Sequence, residues 1–184
     1  MTLQKFITRL NWRQVLIHFI ATWFFMYSFR ALAVLHDTNL ADIFRHTGSN
    51  NLQKNLNENK ISASDFSDFV VWISVGNTVG IFTAFIISLT ISIKRKWFWF
   101  NSFLVFVLVN ILSWLNLSGW NYLKKIFLTP GEIFNNTTLE FLTTGLILLI
   151  LGLLTFFLPT TNKFIVISKR KTTKPLLIKH EFNE

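Results

Sequence analysis

The sequence predicts an all-α integral membrane protein in which four transmembrane helices form one bundle, and three observations carry that prediction. Four apolar runs are long enough to cross a bilayer, only 15% of the 184 residues are charged, and the basic residues crowd into alternate polar segments. A soluble domain carries about 25% charged residues. Here a mean hydropathy of +0.44 with 51% hydrophobic residues leaves too little polar chain to wrap buried helices of this length. Cysteine is absent, which excludes disulfides, thiolate metal sites, cysteine nucleophiles and dithiol redox chemistry.

The elements follow in chain order. In residues 1–13, Lys5, Arg9 and Arg13 recur every four positions with Leu3, Phe6, Ile7 and Leu10 opposite, the pattern of a short amphipathic helix lying in the interface. A first span covers 14–35, since about 20 apolar residues in a helix cross a hydrocarbon core of about 30 Å. Its Ala31-Leu32-Ala33 has the small-x-small form of a signal cleavage site, but the bulky run of Trp23, Phe24, Phe25, Tyr27 and Phe29 marks an uncleaved anchor.

An outer loop at 36–68 follows, in which Thr38 caps a short helix through His46 and 47–63, rich in Asn, reads as flexible polar chain. The second span is 69–93, with Ser64, Asp65 and Asp68 placed before it to suit its free N–H groups and positive dipole end. A tight turn at 94–96 leads to the third span, 97–115. The second outer loop, 116–138, holds Leu117, Trp120, Leu123, Phe127 and Leu128 interleaved with Lys124 and Lys125, a second interfacial helix ended by Pro130-Gly131. The fourth span, 139–158, has Glu140 in its first turn and is closed by Pro159, leaving a basic tail at 159–184. No internal repeat divides this single membrane domain.

Charge sets the orientation. Segments 1–13, 94–96 and 159–184 carry twelve of the 18 basic residues and only Glu181 and Glu184 of the nine acidic ones, whereas the two long loops carry five basic residues and six acids, with Glu140 just inside the fourth span as a seventh on that side. Because Lys and Arg in short flanking segments stay on the cytoplasmic side, both termini and the 94–96 turn are expected inside. Lys5, Arg9, Arg13, Lys94, Arg95, Lys96, Lys169, Arg170 and Lys171 are then placed to meet anionic lipid. A nucleic-acid role is not expected, because the topology accounts for the charge and the tail is too short for a recognition fold. The Phe, Ile, Asn and Lys usage suits an AT-rich genome, and the lack of an organelle-type presequence favours a bacterial inner membrane as the expected location.

Within the spans, Gly76, Gly80, Ala84 and Ser88 recur every four residues, a small-residue ridge on which another backbone can lie close. Asn77 flanks it, and Gly145 and Gly152 form a weaker counterpart. Packing inside the bundle is the expected use of the ridge, with a homo-oligomer or a partner subunit as the alternative. His18, Thr22, Arg30, Asn101 and Asn110 are the polar intramembrane candidates, although Arg30 lies near the outer end, where it can snorkel or meet Asp37. In the outer loop Asp42 and His46 stand one turn apart, a weak metal-ligand spacing.

Nucleotide, zinc-protease and serine-hydrolase motifs are absent, so no cofactor and no catalytic residue is assigned. The favoured function is a non-catalytic accessory, assembly or partner-docking component of a membrane complex. A small transporter or channel using His18, Thr22, Asn77, Asn101 or Asn110 is the alternative.

Overall fold

A computed structural model describes residues 9–47, 52–115 and 129–171, and every regular element among them is helical. Those elements are α1 (Trp12–Val34), α2 (Thr38–Thr47), α3 (Leu52–Glu58), α4 (Ala63–Lys94), α5 (Phe100–Trp114), a 3-10 turn (Thr129–Gly131), α6 (Thr137–Phe157) and α7 (Pro159–Lys171). Residues 1–8, 48–51, 116–128 and 172–184 lie outside the described residues, and with them most of the two expected interfacial helices.

Three helices are long and apolar enough to cross a membrane: α1 with 23 residues, α4 with 32 and α6 with 21. The third predicted span, 97–115, contracts to α5, 15 residues long, or about 22 Å at 1.5 Å per residue. The cause is the preceding turn. At the end of α4, Lys96 takes a left-handed φ of 52°, Trp97 N–H donates to Ser92 O at 2.8 Å and Lys96 N–H to Ile93 O at 3.0 Å. This double bond pattern closes a helix by reversing the chain, so Trp97 and Phe98 serve the reversal and the next helix starts late. Lys60, with φ 53°, ends α3 the same way, Ile61 N–H reaching back to Leu56 O.

The long segment between α1 and α4 differs more from expectation. Within the stretch read as flexible chain, residues 52–58 are helical, and α4 begins at Ala63, well ahead of its apolar run. Ser62 is the N-cap, with Asp65 completing a capping box, so the acceptors that suit the helix start stand earlier than Ser64 and Asp68 suggested. Asp37 rather than Thr38 caps α2, its carboxylate accepting from Leu40 N–H at 3.0 Å. Leu40 and Ala41 pack with Val34 and Phe69, closing that end of the α1–α4 pair.

α1 is the hub. α4 runs antiparallel along one face of it, α6 runs antiparallel along another, and α5 leans on both α1 and α4. The α1–α4 register reads directly from contacts: Gly76 faces Phe29 and Ala33, Gly80 faces Phe25 and Met26, Ser88 meets His18, and Ser92 meets Gln14. The small-residue ridge is therefore spent inside the chain. On the adjoining face, Gly145 rests on Leu32 and Gly152 on the Phe25 ring, while Ser28 Oγ donates to the Gly145 carbonyl at 2.7 Å. α7 follows α6 and reaches the start of α1.

The two ridges differ in what a methyl group would strike. A Cβ on Gly80 would stand 2.7 Å from Phe25 O and 2.8 Å from Met26 Cα, both backbone, whereas on Gly152 it would stand 2.7 Å from a ring carbon of Phe25. Backbone cannot move aside as a ring can. Gly80→Ala is expected to cost about 1–3 kcal/mol in overpacking, and Gly152→Ala distinctly less, in thermal unfolding of detergent-solubilised protein. Equal losses would show that the α1–α4 contact is no tighter than α1–α6.

Candidate functional site

The polar side chains of the bundle do not scatter along it. Most converge at the end shared by the start of α1, the α4–α5 turn and α7. Gln14 leaves α1 one turn after its Asn11 N-cap and is 1% exposed, and around it His18, Ser88, Ser92, Asn101 and Ser102 are each 0–1% exposed. Helical spacing puts them there: 14 and 18 share one face of α1, 88 and 92 continue the ridge of α4, and Asn101 and Ser102 open α5 where it returns beside both.

These groups form one hydrogen-bonded chain. Asn101 Nδ2 donates to Gln14 Oε1 at 2.7 Å, and Gln14 Nε2 donates to Ser92 Oγ at 2.8 Å. Ser92 Oγ lies 2.8 Å from Ser102 Oγ and donates to Ser88 O at 2.9 Å. With its single proton on that carbonyl, Ser92 accepts from both Gln14 and Ser102 and is saturated. His18 Nδ1 and Ser88 Oγ are 2.6 Å apart, the donor being set by the imidazole tautomer, and Thr22 Oγ1 donates to His18 O at 2.7 Å. The His18 ring is held edge-on to Phe156 at 5.2 Å and lies 6.2 Å from Trp97. At the margin, Asn11 Nδ2 donates to Ile165 O at 3.1 Å, and Arg13 Nη1 donates to Phe164 O at 3.2 Å with its guanidinium 4.5 Å from the Phe164 ring centre. Four helices are tied at one level.

Beyond the network the middle of the bundle is mostly apolar, with Ser28 bonded to the α6 backbone. Phe25, Met26, Ile81, Ala84, Val109 and Leu148 are at most 5% exposed and fill the middle of the bundle. The polar chain therefore ends against packed apolar side chains. A 500 Å³ groove between α1 and α5 and a 230 Å³ polar cleft at the opposite end, with Thr38, Asn39, Asp42 and Asn135 in its wall, are lined by other side chains. The bonds of the network tie α1, α4 and α5 to one another, with Ser92 using its donor and both acceptor positions.

The residues singled out by sequence divide into those the fold gathers and those it leaves apart. His18, Thr22, Ser88 and Asn101 belong to the network, and Gly76, Gly80 and Ala84 extend the same seam. Asn110 does not reach the interior: it is exposed and its Nδ2 donates to its own helix at Phe106 O, 2.7 Å away, which corrects its place on an interior path. Arg30 is half-buried near the C-terminal end of α1, and no ion pair joins it to Asp37 among the described residues. Asn77 keeps a buried side-chain oxygen with no hydrogen-bond partner among those residues. Asp42 accepts from the Thr137 hydroxyl, tying α2 to the start of α6, while the side chain of His46 lies outside what is described. No group of three or more metal-ligating side chains gathers among the described residues.

Of the basic residues, Arg9, Lys94, Arg95 and Lys96 are exposed, with the Arg95 guanidinium 5.2 Å from the Trp97 ring centre. Lys169, Arg170 and Lys171 fall on the last turn of α7, and Lys5 is outside the described residues. Sequence reasoning missed Asn11, Gln14, Ser92 and Ser102. The signal for two of them was present, since Ser92 is the next step of the four-residue repeat and Gln14 precedes His18 by one turn. No family model matches the chain, and no curated protein or solved structure matches it either.

Asn101 is the node that couples α5 to α1, accepting from Asn11 N–H at 3.4 Å as well as donating to Gln14. Asn101→Leu leaves a buried Gln14 acceptor unpaired and is expected to cost about 1–3 kcal/mol, whereas Asn110→Leu stays within about 0.5 kcal/mol, both read from unfolding in detergent. Asn77→Leu is expected to leave stability unchanged or to raise it, because it removes a buried acceptor that has no donor among the described residues. A clear loss on Asn77→Leu would reveal a bond to another molecule.

Proposed function

We propose that this chain is a non-catalytic integral membrane component, a four-span bundle with both termini in the cytoplasm that serves as an accessory, assembly or partner-docking subunit in a bacterial inner membrane. One observation carries this reading: Gln14, His18, Ser88, Ser92, Asn101 and Ser102 bond to one another at one end of the bundle, and packed Phe25, Met26, Ile81 and Ala84 lie beyond them. A transporter or channel needs polar groups that are open to a path and free to exchange partners, and Gln14, Ser92 and Asn101 are neither.

The fourth crossing is assigned to α5. Its 15 residues fall short of the hydrocarbon thickness, but the flanking Trp97 to Trp99 and Leu115 are apolar, and a short span is accommodated by local thinning of the bilayer. Its course supports the assignment: Ser102 lies against Ser92 and Phe106 against Phe85 and Phe82, so the first two turns of α5 run antiparallel to α4. Orientation rests on charge. The bundle gathers Arg9, Arg13, Lys94, Arg95, Lys96 and Lys163 at the network end, while Asp37, Asp42, Asp65, Asp68, Glu132 and Glu140 belong to the other, the distribution that retains the basic end in the cytoplasm and draws anionic lipid to it.

With the glycine ridge covered by α1, docking to another membrane protein or to a second copy falls to the ends of the bundle, namely the α2–α3 outer cap and the α7 inner face. Three experiments test this. Reporter fusions at both termini should read cytoplasmic and insertions at 47–51 and 131–136 external; an external C-terminus would remove one crossing. Purification in mild detergent should bring down a stoichiometric protein partner. Reconstituted chain that moves a solute across vesicles, and stops doing so on Gln14→Leu, would overturn the non-catalytic reading in favour of transport.

A further inference from the structure

We propose that the groove between α1 and α5 holds one acyl chain of an anionic phospholipid, with its headgroup at the basic end beside Arg9. The inference rests on the membrane-embedded reading above and adds a defined lipid site to it. The groove has a volume of about 500 Å³ and is lined by Trp12, Leu16 and Phe19 of α1 and Leu108, Ile111 and Leu112 of α5. That volume falls within the range of ligand sites, about 300–1,000 Å³. Every lining side chain is apolar, and Trp12, Leu16 and Ile111 are 64%, 54% and 47% exposed, so the groove opens sideways into whatever surrounds the bundle.

The wall chemistry selects the occupant. Helices associate in lipid through small residues that let backbones touch and through polar side chains that bond across the contact. The groove offers neither. Gly76, Gly80, Gly145 and Gly152 all lie against α1, and the hydroxyls and amides of this region are consumed within the buried network. What remains is an uneven wall of Trp, Leu, Ile and Phe. A rigid helix from a partner or a second copy fits such a wall poorly, and a flexible hydrocarbon chain adapts to it.

Charge selects the headgroup. The groove reaches the bundle end at Trp12, a residue type that favours the headgroup level, and the exposed Arg9 stands just before it. Lys94, Arg95, Lys96 and Lys163 are exposed at the same end, and among the described residues no carboxylate is there to neutralise them. An anionic headgroup is the complement of that surface.

The test uses full-length protein purified in mild detergent, with bound lipid read by native mass spectrometry after addition of equal phosphatidylglycerol and phosphatidylcholine. One phospholipid per chain should remain, and it should be phosphatidylglycerol. Leu16→Trp, at a half-exposed position that leaves the core intact, and Leu108→Trp on the opposite wall should each displace it, while Ile150→Trp on the outer face of α6 should not. Arg9→Gln should weaken phosphatidylglycerol retention about fivefold, the equivalent of one basic residue near an anionic surface. Lipid retained unchanged in both groove variants would overturn the site, and phosphatidylcholine held as firmly would overturn the headgroup assignment. A dimer dissolved by Leu16→Trp would replace the acyl chain with a second copy. Reporter fusions read orientation without reference to lipid, so retention by a chain with inverted termini would sustain the groove and overturn only the topology.

Discussion

The contact between the backbones of α1 and α4 at Gly80 and Gly76 governs the rest of the architecture. In hydrocarbon there is no hydrophobic force to press helices together, so close van der Waals approach and interhelical bonds must do it. Absence of a Cβ at Gly80 lets that residue lie against Phe25 O and Met26 Cα, and Gly76 does the same at Phe29 one turn away. Once those two points touch, the antiparallel register is set for the remaining turns, and Ser88 and Ser92 arrive at His18 and Gln14 without further adjustment. A bulkier seam would part the helices, and hydrogen bonds of 2.6 and 2.8 Å would stretch beyond useful length.

The polar network is thus a consequence of the seam and in turn its lock. A buried amide or hydroxyl in a membrane is costly unless its partners are all present, and here the partners come from α1, α4, α5 and α7. That distribution makes the arrangement discriminating: slipping α4 by one turn along α1 would either match His18 with Ala84, leaving it without a hydroxyl, or match Gln14 with Lys96, leaving that amide without one. Hydroxyls on the outward faces are treated differently. Ser74, Thr78, Thr90 and Thr155 each donate to the carbonyl four residues back, so they are satisfied within their own helix and remain compatible with lipid.

Much of this was legible from residue order. The apolar runs marked the long helices, the four-residue repeat marked the seam, and Pro159 marked the end of α6. Two kinds of information were not legible. Run length overestimated α5, because the stretch from Trp97 to Trp99 is apolar yet is used to reverse the chain, and hydropathy cannot separate a turn in an apolar environment from a helix. Polar composition misread 52–58, because Asn, Gln, Lys and Glu suit either a coil or a solvated helix, and only Leu56 packing with its Ile61 closure decides between them. Among site residues, His18 and Asn101 stood out as polar intruders in apolar runs. Gln14 was hidden at the edge of its span and Asn11 just outside it, where a polar residue raises no question, and their partners depend on helix positions that no single segment reveals.

The central position of α1 bears on how the molecule is made. It is synthesised before the helices it binds, and its partners come from distant parts of the chain, Ser92 lying 78 residues after Gln14, Asn101 87 after it, and Ile165 154 after Asn11. During synthesis α1 must wait in the bilayer with Gln14 and His18 unpaired until the α4–α5 hairpin arrives, and Asn11 and Arg13 must wait until α7 has emerged. Among the described helices the centre of the bundle is thus the first made and the last completed, and a chain interrupted before residue 165 leaves the polar end at Asn11 unfinished.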